Sequence, residues 1–136
     1  MKRVLVAVPD LLFSVQIANA VRQAGGEPQA IRHAAEAFAA LASESAALPV
    51  AVVIDLAARI DPPQVIEAAA ANHIPVFAFG PHLDTAAILR ARACGAQKVV
   101  ANSALSSALP GWLNARLSGQ AGADAPSPAE RPDVED

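Results

Sequence analysis

The sequence predicts an α/β fold: one five-stranded parallel sheet of order 2-1-3-4-5, with helices layered on both faces. Three observations carry this. Val50-Ala51-Val52-Val53-Ile54-Asp55-Leu56 is an apolar run without alternation, the habit of a strand covered on both sides. Strand and helix signals alternate before and after it, which implies parallel pairing through right-handed crossovers. Apolar residues make up 54% of the chain, many of them alanine, which suits close helix-on-sheet packing.

The elements follow in order. Arg3 to Val8 is a short apolar strand ended by Pro9. Asp10 is placed to cap the next helix, where Leu11, Val15, Ala18 and Val21 recur at helical spacing. Gly25-Gly26 stops that helix, and Pro28 to Arg32 is a brief second strand. Ala34 to Ala47 reads as an alanine-rich helix with Phe38 and Leu41 on its buried side, broken by Pro49. Val50 to Leu56 is the central strand. Asp61-Pro62-Pro63 looks like a helix cap with proline in the first turn, opening a helix to about Asn72. Ile74 to Phe79 is the fourth strand, closed by Gly80-Pro81. Asp84 caps a helix carrying Ile88, Leu89 and Cys94, which Gly95 ends. Lys98 to Ala101 is the fifth strand. Ser106 or Ser107 begins the last helix, with Leu109, Trp112, Leu113 and Leu117.

From about Ser118 the composition changes. Residues 1–118 read as one domain, and residues 119–136 as a disordered acidic tail rich in Pro, Gly and Ala. The tail holds five acids and Arg131; its net −4 against the chain's −3 leaves the rest near +1. No Lys/Arg run and few aromatic residues argue against nucleic-acid binding. No stretch approaches the roughly 20 apolar residues of a membrane span. The single Cys94 excludes an internal disulfide and reads as a packed thiol in a cytoplasmic protein. His33 and His73 stand singly, and no spacing suggests a zinc site. Gly25-Gly26 ends a helix and is no phosphate cradle.

In the predicted strand order the loops after Val8, Leu56 and Phe79 gather at one edge, where open α/β sheets bind ligands. Asp55 stands there at the end of the central strand. Pro81-His82-Leu83-Asp84 puts an imidazole on the same edge, a residue type that titrates near neutral pH.

This element order, the segment lengths and Asp55 resemble the receiver domains of bacterial two-component response regulators, a flavodoxin-like architecture. The resemblance covers Lys2 to about Leu117. It implies that Asp55 occupies the phosphoacceptor position. Attack of a carboxylate on phosphorus needs Mg²⁺ and a cation to neutralise charge in the transition state. The family's Mg²⁺-holding acidic pair falls on Val8 and Pro9, whose side chains cannot ligate. Asp10, one place later, offers a single carboxylate and competes with its duty as a cap. Asp10 and Asp55 are the only metal candidates, and no Mg²⁺ or other cofactor is expected. The family's hydroxyl residue after strand 4 is Gly80. Its lysine after strand 5 is Asn102, followed by Ser103; Lys98 lies at the start of that strand and faces elsewhere.

The resemblance with these departures implies a single-domain pseudo-receiver, a non-enzymatic signalling or scaffold protein acting by protein contacts. The site edge comprises Asp10, Gly80, His82 and Asn102 around Asp55. The expected partner face, also a homodimer face, is the last two helices with Arg90, Arg92, Trp112 and Leu113. Two alternatives remain open. One is a residual phosphorelay receiver phosphorylated on Asp55. The other is a small-molecule or nucleotide sensor with Gly80, Pro81 and His82 lining its pocket.

Overall fold

The computed structural model describes residues 2–42, 48–81 and 84–118. β1 (Arg3–Ala7), β2 (Glu27–Ala30), β3 (Ala51–Asp55), β4 (Val76–Gly80) and β5 (Lys98–Ala101) pair in parallel in the order β2-β1-β3-β4-β5. Between and after them run α1 (Leu11–Gln23), α2 (Ala34–Leu41), α3 (Pro62–Ala71), α4 (Thr85–Cys94) and α5 (Leu105–Leu117). The predicted class and strand order are both present.

Strand alternation divides the core into two layers. Val4, Val6, Ala51, Val53, Phe77 and Phe79 pack with Ile17 and Val21 of α1 and with Leu105, Leu109 and Leu113 of α5. Leu5, Ala7, Val52, Ile54, Val76 and Ala78 face α2, α3 and α4. Ala51 to Ile54 have no exposed surface at all. Burying one such side chain is worth about 1.5–3 kcal/mol, more than any helix propensity here, so sheet burial dominates the fold.

Local capping fixes where the helices start. Asp10 Oδ1 accepts from the Phe13 amide at 2.9 Å, and Asp84 Oδ1 from the Ala87 amide at 2.8 Å. Both caps were legible in the sequence. Glu36 was not: its carboxylate reaches back to the Arg32 and His33 amides at 2.7 and 3.1 Å, opening α2. Those two bonds hold its carboxyl below the usual range.

Several expectations need correction. Asp61 does precede α3, but its carboxylate makes no cap hydrogen bond. Its backbone is left-handed, at φ 58° and ψ 59°, unlike the extended backbones of Asp10 and Asp84, whose carboxylates reach the third amide of their helices. α5 begins at Leu105 after a 3-10 turn, Asn102–Ala104, earlier than Ser106. The second strand lies at Glu27–Ala30, shifted toward Gly26 because it pairs with β1 from Arg3 onward. α2 ends at Leu41, and the rest of its expected span includes residues 43–47, outside the described residues. The tail, residues 119–136, also lies outside them.

Trp112 and Leu113 are buried, at 8% and 0% exposure, so neither offers a partner surface. The Trp112 indole N–H donates to Gln97 Oε1 at 2.8 Å, and its ring meets Phe77 edge-on at 5.4 Å. Arg116 lies 4.9 Å over the same ring and also donates to Gln97. An aromatic this size contributes most by filling core, which is what the helical phase of α5 makes it do.

Gly95 ends α4 at φ +117°, and a Cβ there would stand 2.5 Å from Ala70 Cβ at the end of α3. The two helices therefore meet at their C-terminal ends. Gly25 has φ +93° but open space around it. Gly25→Ala is expected to lose only the backbone term, about 1–2 kcal/mol. Gly95→Ala is expected to lose clearly more, because a steric clash adds to it. Urea unfolding of both variants measures the difference; equal losses would contradict the close approach.

Candidate functional site

The site is the carboxyl edge of the sheet. Asp55 ends β3 and pairs in register with Phe79, one residue before Gly80. Gly80 pairs with Ala101, one residue before Asn102. Register thus brings the ends of three neighbouring strands together, as the strand order predicted. Pairing alternation puts Asp55 on the α1 side of the sheet, with Val53.

Asp55 is half-buried, and its Oδ1 accepts from the Ala57 amide at 2.9 Å, a tight turn into the β3–α3 loop. Burial raises its pKa above the ordinary carboxylate value; the Ala57 amide pulls the other way, and the charge of Asp10 adds to the rise. Among the described residues no cation contributes to the shift. Their electrostatics at this edge are those of two neighbouring acids.

The other predicted residues are brought together only in part. Asp10 sits close enough to act on Asp55, yet its Oδ1 is engaged as the α1 cap. Val8 is buried in the core with 5% exposure, and Pro9 is exposed. Gly80 is buried and brings no side chain. Asn102 opens the 3-10 turn, and its Oδ1 is buried without a hydrogen-bond partner among the described residues. His82 lies outside the described residues. Among the described residues no group of three His, Cys, Asp or Glu is arranged to hold a metal ion. An octahedral Mg²⁺ site would have to rest on Asp55 and a carboxylate already engaged as a cap, which is a poor donor set. Arg90 and Arg92 are exposed on α4, as expected.

Sequence reasoning missed one feature. A cavity of about 510 Å³ opens between α3 and α4, walled by Leu56, Ala57, Pro62, Ile66, Ala87 and Ala91, with Arg90 and Cys94 on the α4 side. The double proline and the small residues of α4 were its only signals. Burial pushes the Cys94 thiol up, and nearby Glu67 adds to that, so Cys94 is no activated nucleophile.

No protein-family model matches the chain, and no curated protein matches it in sequence. Solved structures do match. The receiver domain of the Francisella response regulator 1452 superposes with a TM-score of 0.71 at 16% identity, covering 87% of this chain and 98% of that one. A CheY-like receiver domain protein from Methanospirillum hungatei gives 0.72 at 14% identity, covering 87% and 94%. The beryllofluoride-activated receiver domain dimer of NtrC4 gives 0.65 at 19%, covering 75% and 84%. This chain has the receiver fold. In that fold Asp55 ends the third strand. Among the described residues no helix is long and apolar enough to cross a membrane.

The raised pKa of Asp55 has a stability consequence. The folded state holds its proton more tightly than the unfolded chain, so stability falls as pH rises from the unfolded value, about 3.9, through the higher folded value. Above that window the charge is a constant cost. Asp55→Asn keeps an oxygen for the Ala57 amide and removes the charge. It is expected to stabilise the protein at neutral pH by less than about 1 kcal/mol, because solvent screens a half-open site. The gain is expected to vanish near pH 3, where the acid is already neutral in both states. Unfolding curves at the two pH values measure this; a loss at neutral pH would contradict burial as the dominant cause.

Proposed function

We propose that this receiver fold works as a pseudo-receiver: a non-enzymatic signalling or scaffold domain that acts by protein contacts, without regulated phosphorylation of Asp55. The observation that carries this reading is the charge pattern at the edge. Asp55 has a second acid beside it, no cation among the described residues acting on it, and a neutral amide at the lysine position. A phosphoryl group arriving there would add negative charge to negative charge, with no described cation to offset it.

The surface supports contact with another protein. Leu11, Leu12 and Val15 of α1 are 76%, 80% and 51% exposed, clustered beside Asp10. Exposed apolar groups of that kind mark interaction sites more often than scattered single residues do. α4 adds Leu89, also exposed, with Arg90 and Arg92. The contact surface is therefore proposed to centre on the first half of α1. A homodimer through α4 and α5 is the weaker form of the proposal, since the indole and leucine expected to anchor it are buried.

Two measurements test the reading. Incubation with acetyl phosphate and Mg²⁺, followed by intact mass, is expected to give no stoichiometric phosphoryl adduct. A full adduct that disappears in Asp55→Asn would sink the pseudo-receiver and restore the phosphorelay alternative. If α1 is a contact surface and not part of the core, Leu12→Ser leaves unfolding free energy within about 0.5 kcal/mol of the parent. A larger loss in urea unfolding would return Leu12 to a structural role.

A further inference from the structure

We propose that the cavity between α3 and α4 binds a small amphipathic monocarboxylate, an apolar body with one anionic head paired to Arg90. The shape of the cavity follows from how the two helices meet. Gly95 and Ala70 bring their C-terminal ends together, and the cavity lining includes Pro62 and Pro63 at the start of α3 and Leu56 and Ala57 just after β3. The result is a wedge of about 510 Å³, within the size range of small-molecule sites. Its walls are alanine, proline, leucine and isoleucine, so they match an apolar body.

The charge on the wall selects the head group. Among the described residues, Arg90 is the one ionised side chain in the cavity lining, and it makes no ion pair there. No described acid is part of the lining; Glu67 acts on the Cys94 thiol from outside it. That lining disfavours a cation, and a single anion would gain a guanidinium with two parallel donors.

Phosphate-rich ligands fit poorly. Helix N-termini ordinarily hold phosphates through free amide hydrogens. Here α3 opens with Pro62 and Pro63, which have none, and the Asp84 carboxylate already takes the Ala87 amide at the start of α4. One guanidinium without backbone donors suits a carboxylate and not a nucleotide.

The test uses the full 136-residue chain. Octanoate and 4-phenylbutyrate serve as aliphatic and aromatic probes, and octanamide as the uncharged counterpart. In ¹H–¹⁵N spectra, at least one acid is expected to shift the amides of Ala57, Ile66, Ala87 and Ala91. The same acid is expected to protect Cys94, the chain's one thiol, from iodoacetamide at alkaline pH. Arg90→Gln, on an exposed position, is expected to weaken the acid about tenfold, the worth of a charge-assisted bond, and to leave octanamide unchanged. Ala87→Leu, at a partly exposed wall position, is expected to abolish acid binding while Tm holds. The proposal is overturned if neither acid moves these amides, or if octanamide binds as well as octanoate. It is also overturned if Arg90→Gln has no effect, or if the same amides shift with protein concentration alone, which would mean that a second copy covers the wedge.

Discussion

Burial of β3 on both faces is the constraint on which the rest depends. Ala51 to Ile54 touch no solvent, so no polar group can sit on that strand until it ends. The first residue free to be charged is Asp55. Its position at the sheet edge is thus a consequence of packing before it is a sign of function. The same burial explains the two-layer core, the parallel pairing and the short loops, since each crossover helix must return its apolar stripe to one face or the other.

At that edge, local duties decide which carboxylate is available. Asp10 is engaged by the Phe13 amide, and Asp55 by the Ala57 amide. Each spends an oxygen on the backbone. The charge of Asp10 adds to the cost of ionising Asp55, and burial adds more. The fold places both acids at the sheet edge, and each anchors a local turn or helix start through a backbone amide.

Much of this was legible in the chain itself. The apolar run of β3, the caps Asp10 and Asp84, and the stop at Gly95 are local signals, and each acts over a few residues. Features that depend on how two elements meet were not legible. Trp112 and Leu113 were placed on the partner face because the resemblance puts that face on the last two helices; the packing of α5 against the sheet turns both inward. Asp61 looked like an ordinary cap, yet its left-handed backbone departs from the extended geometry that the caps Asp10 and Asp84 share. The wedge between α3 and α4 exists because Gly95 lets one helix end approach another across 25 residues of sequence, a contact no periodicity records.

Ala57 ties the two features of the edge together. Its amide hydrogen holds the Asp55 carboxylate, and its side chain forms part of the wedge wall. One short turn therefore borders an acid on one side and a cavity on the other. A group that fills the wedge with a preference for one geometry of that turn changes the hydrogen bond that opposes the rise in the Asp55 pKa. By linkage the reverse also holds: protonating or engaging Asp55 alters the turn that the cavity presents. Nothing in this coupling requires a phosphoryl group. It requires only that the β3–α3 turn be shared, because Ala57 both bonds Asp55 and belongs to the cavity lining.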